Sequence, residues 1–289
     1  MSILEAIILG IIQGLSEFLP ISSSGHLVLL QQVFGIDEGS LFFTIMLHVG
    51  TLIAVLIVYR ALIWRLIKAF FICFKLLFTG KKAELGSHMR SKDVHLLLMM
   101  LVSTLATTIL ALVFNDLIDE ASGGAFLGFS FLLTSIVLLL MNIATKKTYS
   151  TSKLKVLPAL GIGLAQGVAA ILPGLSRSGS TIAGARLFGL KKKSAAEYSF
   201  LLSIPAICGA VIIEVPDAIE NGIAGDNIAA IIIGVIFAAV TGFLAIKFML
   251  KLIANKSLNI FAVYTGVLGV LVLLDQLVFN LVFENPFIA

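Results

Sequence analysis

The chain has 289 residues, of which 59% are hydrophobic and only 12% charged, with a mean hydropathy of +1.11. A soluble domain needs about 25% charged residues, so this composition excludes one and implies a single integral membrane domain over residues 1–289. The net charge of +4 reports on loops flanking a membrane and supports no nucleic-acid partner.

In chain order, residues 3–34 are apolar but interrupted by Pro20 and a Ser/Gly run, too short for two crossings of about 20 residues each and too broken for one. They read as a re-entrant helix pair, because irregular backbone at membrane depth is tolerated where it lines a polar cavity. Asp37 and Glu38 mark its exit. The N-terminus has neither a basic n-region nor a small-residue cleavage site, so this apolar run is expected to persist in the mature protein. Residues 41–59 make a first span ending at Arg60, a cytoplasmic end by the positive-inside rule, and the first broken pair then opens outward. Residues 60–82 mix Trp64, Phe70, Phe71, Phe74 and Phe78 with Arg65, Lys68 and Lys75, a pattern that suits a helix in the cytoplasmic interface, with a tilted span as the competing reading.

Residues 81–93 read as a polar, basic loop. Residues 94–114 lead outward to Asn115, Asp116, Asp119 and Glu120, and residues 124–144 return to Lys146, Lys147, Lys153 and Lys155. Residues 156–190 form a second broken pair with lysines on both flanks, Lys191 to Lys193 at its exit. Three further spans are expected at 197–214, 228–250 and 258–283, flanked by Asp217, Glu220 and Asp226 outside, Lys251 and Lys256 inside, and Glu284 outside. Cys73 and Cys208 lie in apolar runs without metal-site or disulfide spacing and read as packing residues.

The two broken stretches repeat one another. Gln13-Gly14, Leu19-Pro20 and Ser23 recur as Gln166-Gly167, Leu172-Pro173 and Ser176, displaced by 153 positions, and residues 43–50 resemble 198–205 at a displacement of 155. The fold class is therefore an all-α polytopic membrane protein: an inverted-topology repeat, about 1–145 and about 155–289, with six full spans and two re-entrant pairs. Such repeats place their site near the midplane, where broken helices meet.

Ionisable residues at membrane depth cost on the order of 3 kcal/mol and are functional candidates by default. Glu17 and Arg177 are the two strongest, with a structural ion pair between the halves as the plain alternative. The run Gly174, Ser176, Arg177, Ser178, Thr181 precedes a helix, so backbone amides, hydroxyls, the helix dipole and a guanidinium together form a site suited to phosphate. Glu17 would repel phosphate unless a divalent cation bridged them; hard oxygen ligands suit magnesium or calcium, and Gln13, one turn earlier, either adds a ligand or is a core amide. Ser22, Ser23 and Ser24 supply hydroxyls, and His26 follows Ser23 by three residues. Ser23, His26 or water remain open as the attacking group, with His26 as acid or base, or simply as a helix cap. His48, within a span, is a weaker candidate for the same chemistry, with helix packing as the favoured reading; Glu197 reads as an interfacial charge pair, and Arg186 as a lipid or second anion contact.

These residues resemble the bacterial undecaprenyl-pyrophosphate phosphatases of the bacitracin-resistance family over essentially the whole chain. The first motif is Gln13, Glu17, Phe18 to Pro20, Ser22, Ser23, Gly25 and His26; the second is Pro173, Gly174, Ser176, Arg177, Ser178 and Thr181. The resemblance implies hydrolysis of undecaprenyl pyrophosphate to undecaprenyl phosphate and phosphate with a divalent metal, at the outer face of the plasma membrane, recycling the carrier for peptidoglycan synthesis and lowering the lipid pool that bacitracin captures. It implies catalytic roles for Glu17, Ser23, His26 and Arg177; Gln13 stands where many members carry Glu. A secondary transporter or lipid-carrier flippase is the competing class, because inverted repeats also serve alternating access. A homodimer is left open.

Overall fold

A computed structural model of the protein describes residues 1–36, 41–114, 124–143, 148–220, 227–255 and 257–279. Its regular elements are helices: α1 (Ile3–Phe18), α2 (Ser23–Val33), α3 (Leu41–Val58), α4 (Arg60–Phe78), α5 (Lys82–Met89), α6 (Lys92–Val113), α7 (Gly124–Leu140), α8 (Val156–Ile171), α9 (Arg177–Leu187), α10 (Lys192–Glu220), α11 (Ile228–Asn255) and α12 (Asn259–Leu274). Among the described residues, six segments are long and apolar enough to cross a membrane, as the hydropathy pattern requires: they lie in α3, α6, α10 and α11, and in α7 and α12 with the helical turns that follow them. α4 is not among them; its basic residues break the apolar run, and it buries only Leu66 and Ala69 while Trp64, Phe70, Phe71 and Phe74 are exposed.

Three expectations change. The expected loop at 81–93 contains α5, with an exposed Lys81–Glu84 ion pair at its start and His88 tied to the Ala69 carbonyl of α4. The span expected at 197–214 is longer, running from Lys192 to Glu220 through Pro205 and Pro216, each of which removes one ladder hydrogen bond without ending the helix. The last span stops at Leu274 and passes into a π turn, Asp275–Phe279, and residues 280–283 lie outside the described residues. So do the expected flanking polar and charged residues Asp37, Glu38, Asn115, Asp116, Asp119, Glu120, Lys146, Lys147, Asp226, Lys256 and Glu284.

The short helices exchange partners between the halves: α1 packs on α11 and α8 on α6, while α3 packs on α11, α10 on α6, α3 on α10, and α7 on α12. Each contact maps onto another, or onto itself, when the halves are interchanged. The close approach needs glycine at equivalent places, since a Cβ on Gly10 would lie 2.5 Å from the Gly234 carbonyl oxygen and one on Gly163 would lie 2.3 Å from that of Ser103. Small residues at such seams are how helices pack where no hydrophobic effect drives them together.

Proline sets where the short helices stop. Leu19 and Leu172 precede Pro20 and Pro173 and are extended (ψ 142° and 96°), because proline disfavours the helical region for the residue before it. The two resulting turns touch: Ser178 Oγ donates to the Leu19 carbonyl (3.1 Å) and the Gly174 amide to Ser24 Oγ (3.4 Å). Gly174 has φ +83°, a left-handed conformation that glycine adopts without strain. At the far end of the second pair, the Tyr149 amide donates to the Gly189 carbonyl (2.9 Å) and the Lys191 amide to the Tyr149 carbonyl (2.8 Å). The chain leading into α8 is thus bonded to the chain leaving α9.

Candidate active site

Glu17 occupies the penultimate position of α1, where the negative end of the helix dipole disfavours a carboxylate. Its side chain is only 4% exposed, so the charge persists only because donors surround it. Gln13 Nε2, one turn back on the same face, donates to Oε2 (3.0 Å), and Ser23 Oγ donates to the same oxygen (2.8 Å). Arg177 Nη2 donates to Oε1 in a short, charge-assisted contact, while its Nη1 is buried without a partner. His48 Nε2 lies 3.8 Å from Oε2.

Ser23 and Arg177 are the first residues of α2 and α9, capped by Ser22 and Ser176, whose hydroxyls accept from the amides of Gly25 (3.2 Å) and Gly179 (3.0 Å). The positive ends of two helices, one from each half, therefore converge on one carboxylate. The alternative of an ion pair joining the halves is realised, and the same pair forms the wall of a cleft of about 220 Å³ lined by Glu17, Ser23, Ser24, His48, Arg177 and Glu214 with apolar residues of α3, α8 and α10.

The remaining candidates divide. Ser24 is exposed and lines the cleft. Ser22 and Ser176 are buried as helix caps, and Ser178 and Thr181, expected ahead of the helix, are buried within the first turns of α9; none of the four lines the cleft. Thr181 Oγ1 bonds the Arg177 carbonyl (2.8 Å) and Ser199 Oγ (2.5 Å), seating α9 on α10, and the Ser176 amide donates to Thr134 Oγ1 (3.0 Å). Their hydrogen bonds hold the two turns and the first turns of α2 and α9 in place. Ser22 has φ 75°, the one non-glycine positive φ among the described residues.

His26 does not meet Ser23. Its Nδ1 is 2.6 Å from the Ser22 carbonyl and its Nε2 2.7 Å from the Tyr264 hydroxyl, with the ring stacked on Tyr264 and edge-on to Phe131. A carbonyl only accepts, so Nδ1 carries the proton of the neutral ring and Tyr264 donates to Nε2. His26 braces the unusual Ser22 backbone from which Ser23 projects.

Of the cleft residues, His48 ranks below the motif residues in the sequence reading, which favours helix packing for it, and Glu214, a carboxylate within α10, escapes that reading. The available signal was an ionisable group inside an apolar run. Glu197 pairs with Lys193 (3.9 Å) as expected, and Arg186 donates to the Leu190 carbonyl at its own helix end.

Glu17 and Gln13 do not fit the divalent ion expected of them. Gln13 presents its amide nitrogen to Glu17 and its Oε1 is buried without a partner, while hydrogen-bond donors already face both Glu17 oxygens. Among the described residues no three His, Cys, Asp or Glu side chains come together as ligands.

The sequence matches the family model described as Bacitracin resistance protein BacA over residues 6–271. Similar proteins named undecaprenyl-diphosphatase include those of Carboxydothermus hydrogenoformans (38% identical over 279 residues, 96% of this chain and 98% of the relative), Desulfatibacillum aliphaticivorans (41% over 281 residues, 95% and 99%) and Alkaliphilus metalliredigens (39% over 279 residues, 96% and 100%). With the family model covering nearly the whole chain and full-length relatives at this identity, the protein belongs to the BacA family of bacitracin resistance proteins.

Proposed function

We propose that this protein is an integral membrane phosphatase that hydrolyses undecaprenyl pyrophosphate to undecaprenyl phosphate and inorganic phosphate. The observation that carries the reading is the convergence of Ser23 and Arg177, each at a helix N-terminus, on the buried carboxylate of Glu17. A transporter needs anion-binding groups at depth; it does not need a hydroxyl whose proton is already directed onto a carboxylate.

The pyrophosphate enters the cleft with its terminal phosphate at the two helix N-termini, where Arg177 Nη1 and the Ser24 hydroxyl are available to its oxygens. As Arg177 turns toward phosphate, Glu17 loses part of its neutralising partner and becomes a better proton acceptor. Ser23 Oγ, passing its proton to Glu17 Oε2, attacks the terminal phosphorus and prenyl phosphate departs. Water then opens the phosphoserine and releases phosphate. Arg177 and the helix dipoles act on the charge that develops on phosphorus, in a site where water is scarce. Magnesium or calcium enters this proposal as a companion of the pyrophosphate, neutralising part of its charge.

We place the protein in the plasma membrane with this cleft open to the outer face, on the lysine distribution at 153–155, 191–193 and 251. The hydrogen bonds joining residues 149 and 189–191 support a second pair that enters and leaves on one side. The test is phosphate release from a long-chain prenyl pyrophosphate by detergent-purified protein, with and without magnesium or calcium. Detergent leaves no compartments to transport between, so release that Glu17→Ala abolishes supports hydrolysis, and absence of release from folded wild type refutes it.

A further inference from the structure

The cleft contains an imidazole that the attack on phosphorus leaves unused. His48 Nδ1 lies 2.9 Å from the Thr44 carbonyl, which can only accept, so the neutral ring carries its proton on Nδ1 and its lone pair on Nε2. That nitrogen faces Glu17 Oε2 at 3.8 Å, beyond hydrogen-bond range, and the side chain is 29% exposed on the cleft wall. His26 offers nothing equivalent, because its Nε2 already accepts from Tyr264. Of the two histidines near the turns, only His48 presents an uncommitted acceptor nitrogen to the cleft. Glu214 lines the same cleft.

We propose that His48 is a catalytic residue of the second step, holding the water that hydrolyses phosphoryl-Ser23 and taking its proton on Nε2. This rests on the reading above, in which Ser23 is phosphorylated first. The water oxygen bonds to phosphorus as the bond from phosphorus to Ser23 Oγ breaks. The proton that Glu17 took from Ser23 returns to Oγ, and the water proton passes to His48 Nε2. The imidazolium faces the Glu17 carboxylate, 3.8 Å away, in a cleft that Glu214 also lines, until the proton leaves with phosphate or solvent. Thr44 is a positioning residue, acting through the ring orientation its carbonyl fixes. The division of labour uses one side chain per proton: Glu17 for the serine, His48 for the water.

The experiment is a rapid-quench time course with prenyl pyrophosphate labelled in its terminal phosphate, following protein-bound label, prenyl phosphate and free phosphate for wild type, His48→Ala, His48→Gln and Ser23→Ala. His48→Ala is expected to lower steady-state turnover by about 10²–10⁴-fold, the usual worth of general-base catalysis, while still forming prenyl phosphate in a burst near one equivalent. Label accumulates on the protein in His48→Ala and is absent from Ser23→Ala, which lacks the attacking hydroxyl. His48→Gln, close in size and able to accept a hydrogen bond from water but not its proton, accumulates label as well, which separates proton transfer from packing. Turnover of His48→Ala near the wild-type rate overturns the proposal, as does loss of the burst in folded His48→Gln. Near-normal hydrolysis by Ser23→Ala removes the phosphoserine and the His48 step together while leaving the phosphatase reading standing; absence of phosphate release from wild type fails that reading itself.

Discussion

Replacing Arg177 separates the two things its guanidinium does, holding Glu17 and holding phosphate. Glu17 is 4% exposed and Arg177 18%, so the pair is screened little by solvent. Removing one partner of such a pair leaves a buried charge and costs about 3–5 kcal/mol. Here Gln13 and Ser23 still donate to Glu17, which places Arg177→Ala at the lower end, about 3 kcal/mol. Adding Glu17→Gln removes the stranded charge, so the double variant should regain most of that loss in thermal unfolding in detergent, and the cycle should show a coupling above about 1 kcal/mol. Activity should not return. Loss of one donor to developing transition-state charge costs about 10²–10³ in kcat, and Arg177→Lys, which keeps the charge without the planar fork, should recover little of it. Arg177→Lys with near-wild-type kcat, or a double variant no more stable than Arg177→Ala, would refute the reasoning.

Ser24→Ala should raise KM by about fivefold, the worth of one neutral hydrogen bond, whereas Thr181→Ala should lower the melting temperature and leave KM unchanged, because only Ser24 faces the cleft. Gly163→Ala should destabilise by about 1–3 kcal/mol or misassemble, since its Cβ would sit 2.3 Å from the Ser103 carbonyl oxygen; Gly209→Ala, with nothing within 4 Å, should be neutral or stabilising by up to about 1 kcal/mol. At Ser22, glycine should be tolerated better than alanine in thermal melts: alanine loses the cap, worth about 1 kcal/mol, and keeps the strain of φ 75°, whereas glycine loses the cap and relieves it.

The six spans were legible because bilayer length and hydropathy leave few alternatives, and the broken pairs because proline and serine recur at matching places. Glu17 and Arg177 stood out as charges in apolar sequence. The pairing of the two turns was less legible. A displacement of 153 aligns Ser23 with Ser176, but the capping hydrogen bonds pair Ser22 with Ser176, a displacement of 154, and so make Ser23 the counterpart of Arg177. That slip of one residue brings both first helical side chains to Glu17, and only backbone geometry reveals it. The motif hydroxyls divide for a related reason: Ser176, Ser178 and Thr181 bond neighbouring backbone and side-chain groups at the cap and first turns of α9, which sequence cannot distinguish from offering a hydroxyl to a ligand. His48 and Glu214 were under-read because which face of a span meets the cleft depends on how α3 and α10 pack.

The account stands most directly on Ser23 and Glu17 acting as a pair. Phosphate release from a long-chain prenyl pyrophosphate should be compared for wild type, Ser23→Ala and Glu17→Gln, each purified in detergent and matched for cooperative melting. The account requires both variants to lose at least about 10²-fold in kcat, the lower bound for proton transfer by a positioned group. Near-normal release by either folded variant would contradict it.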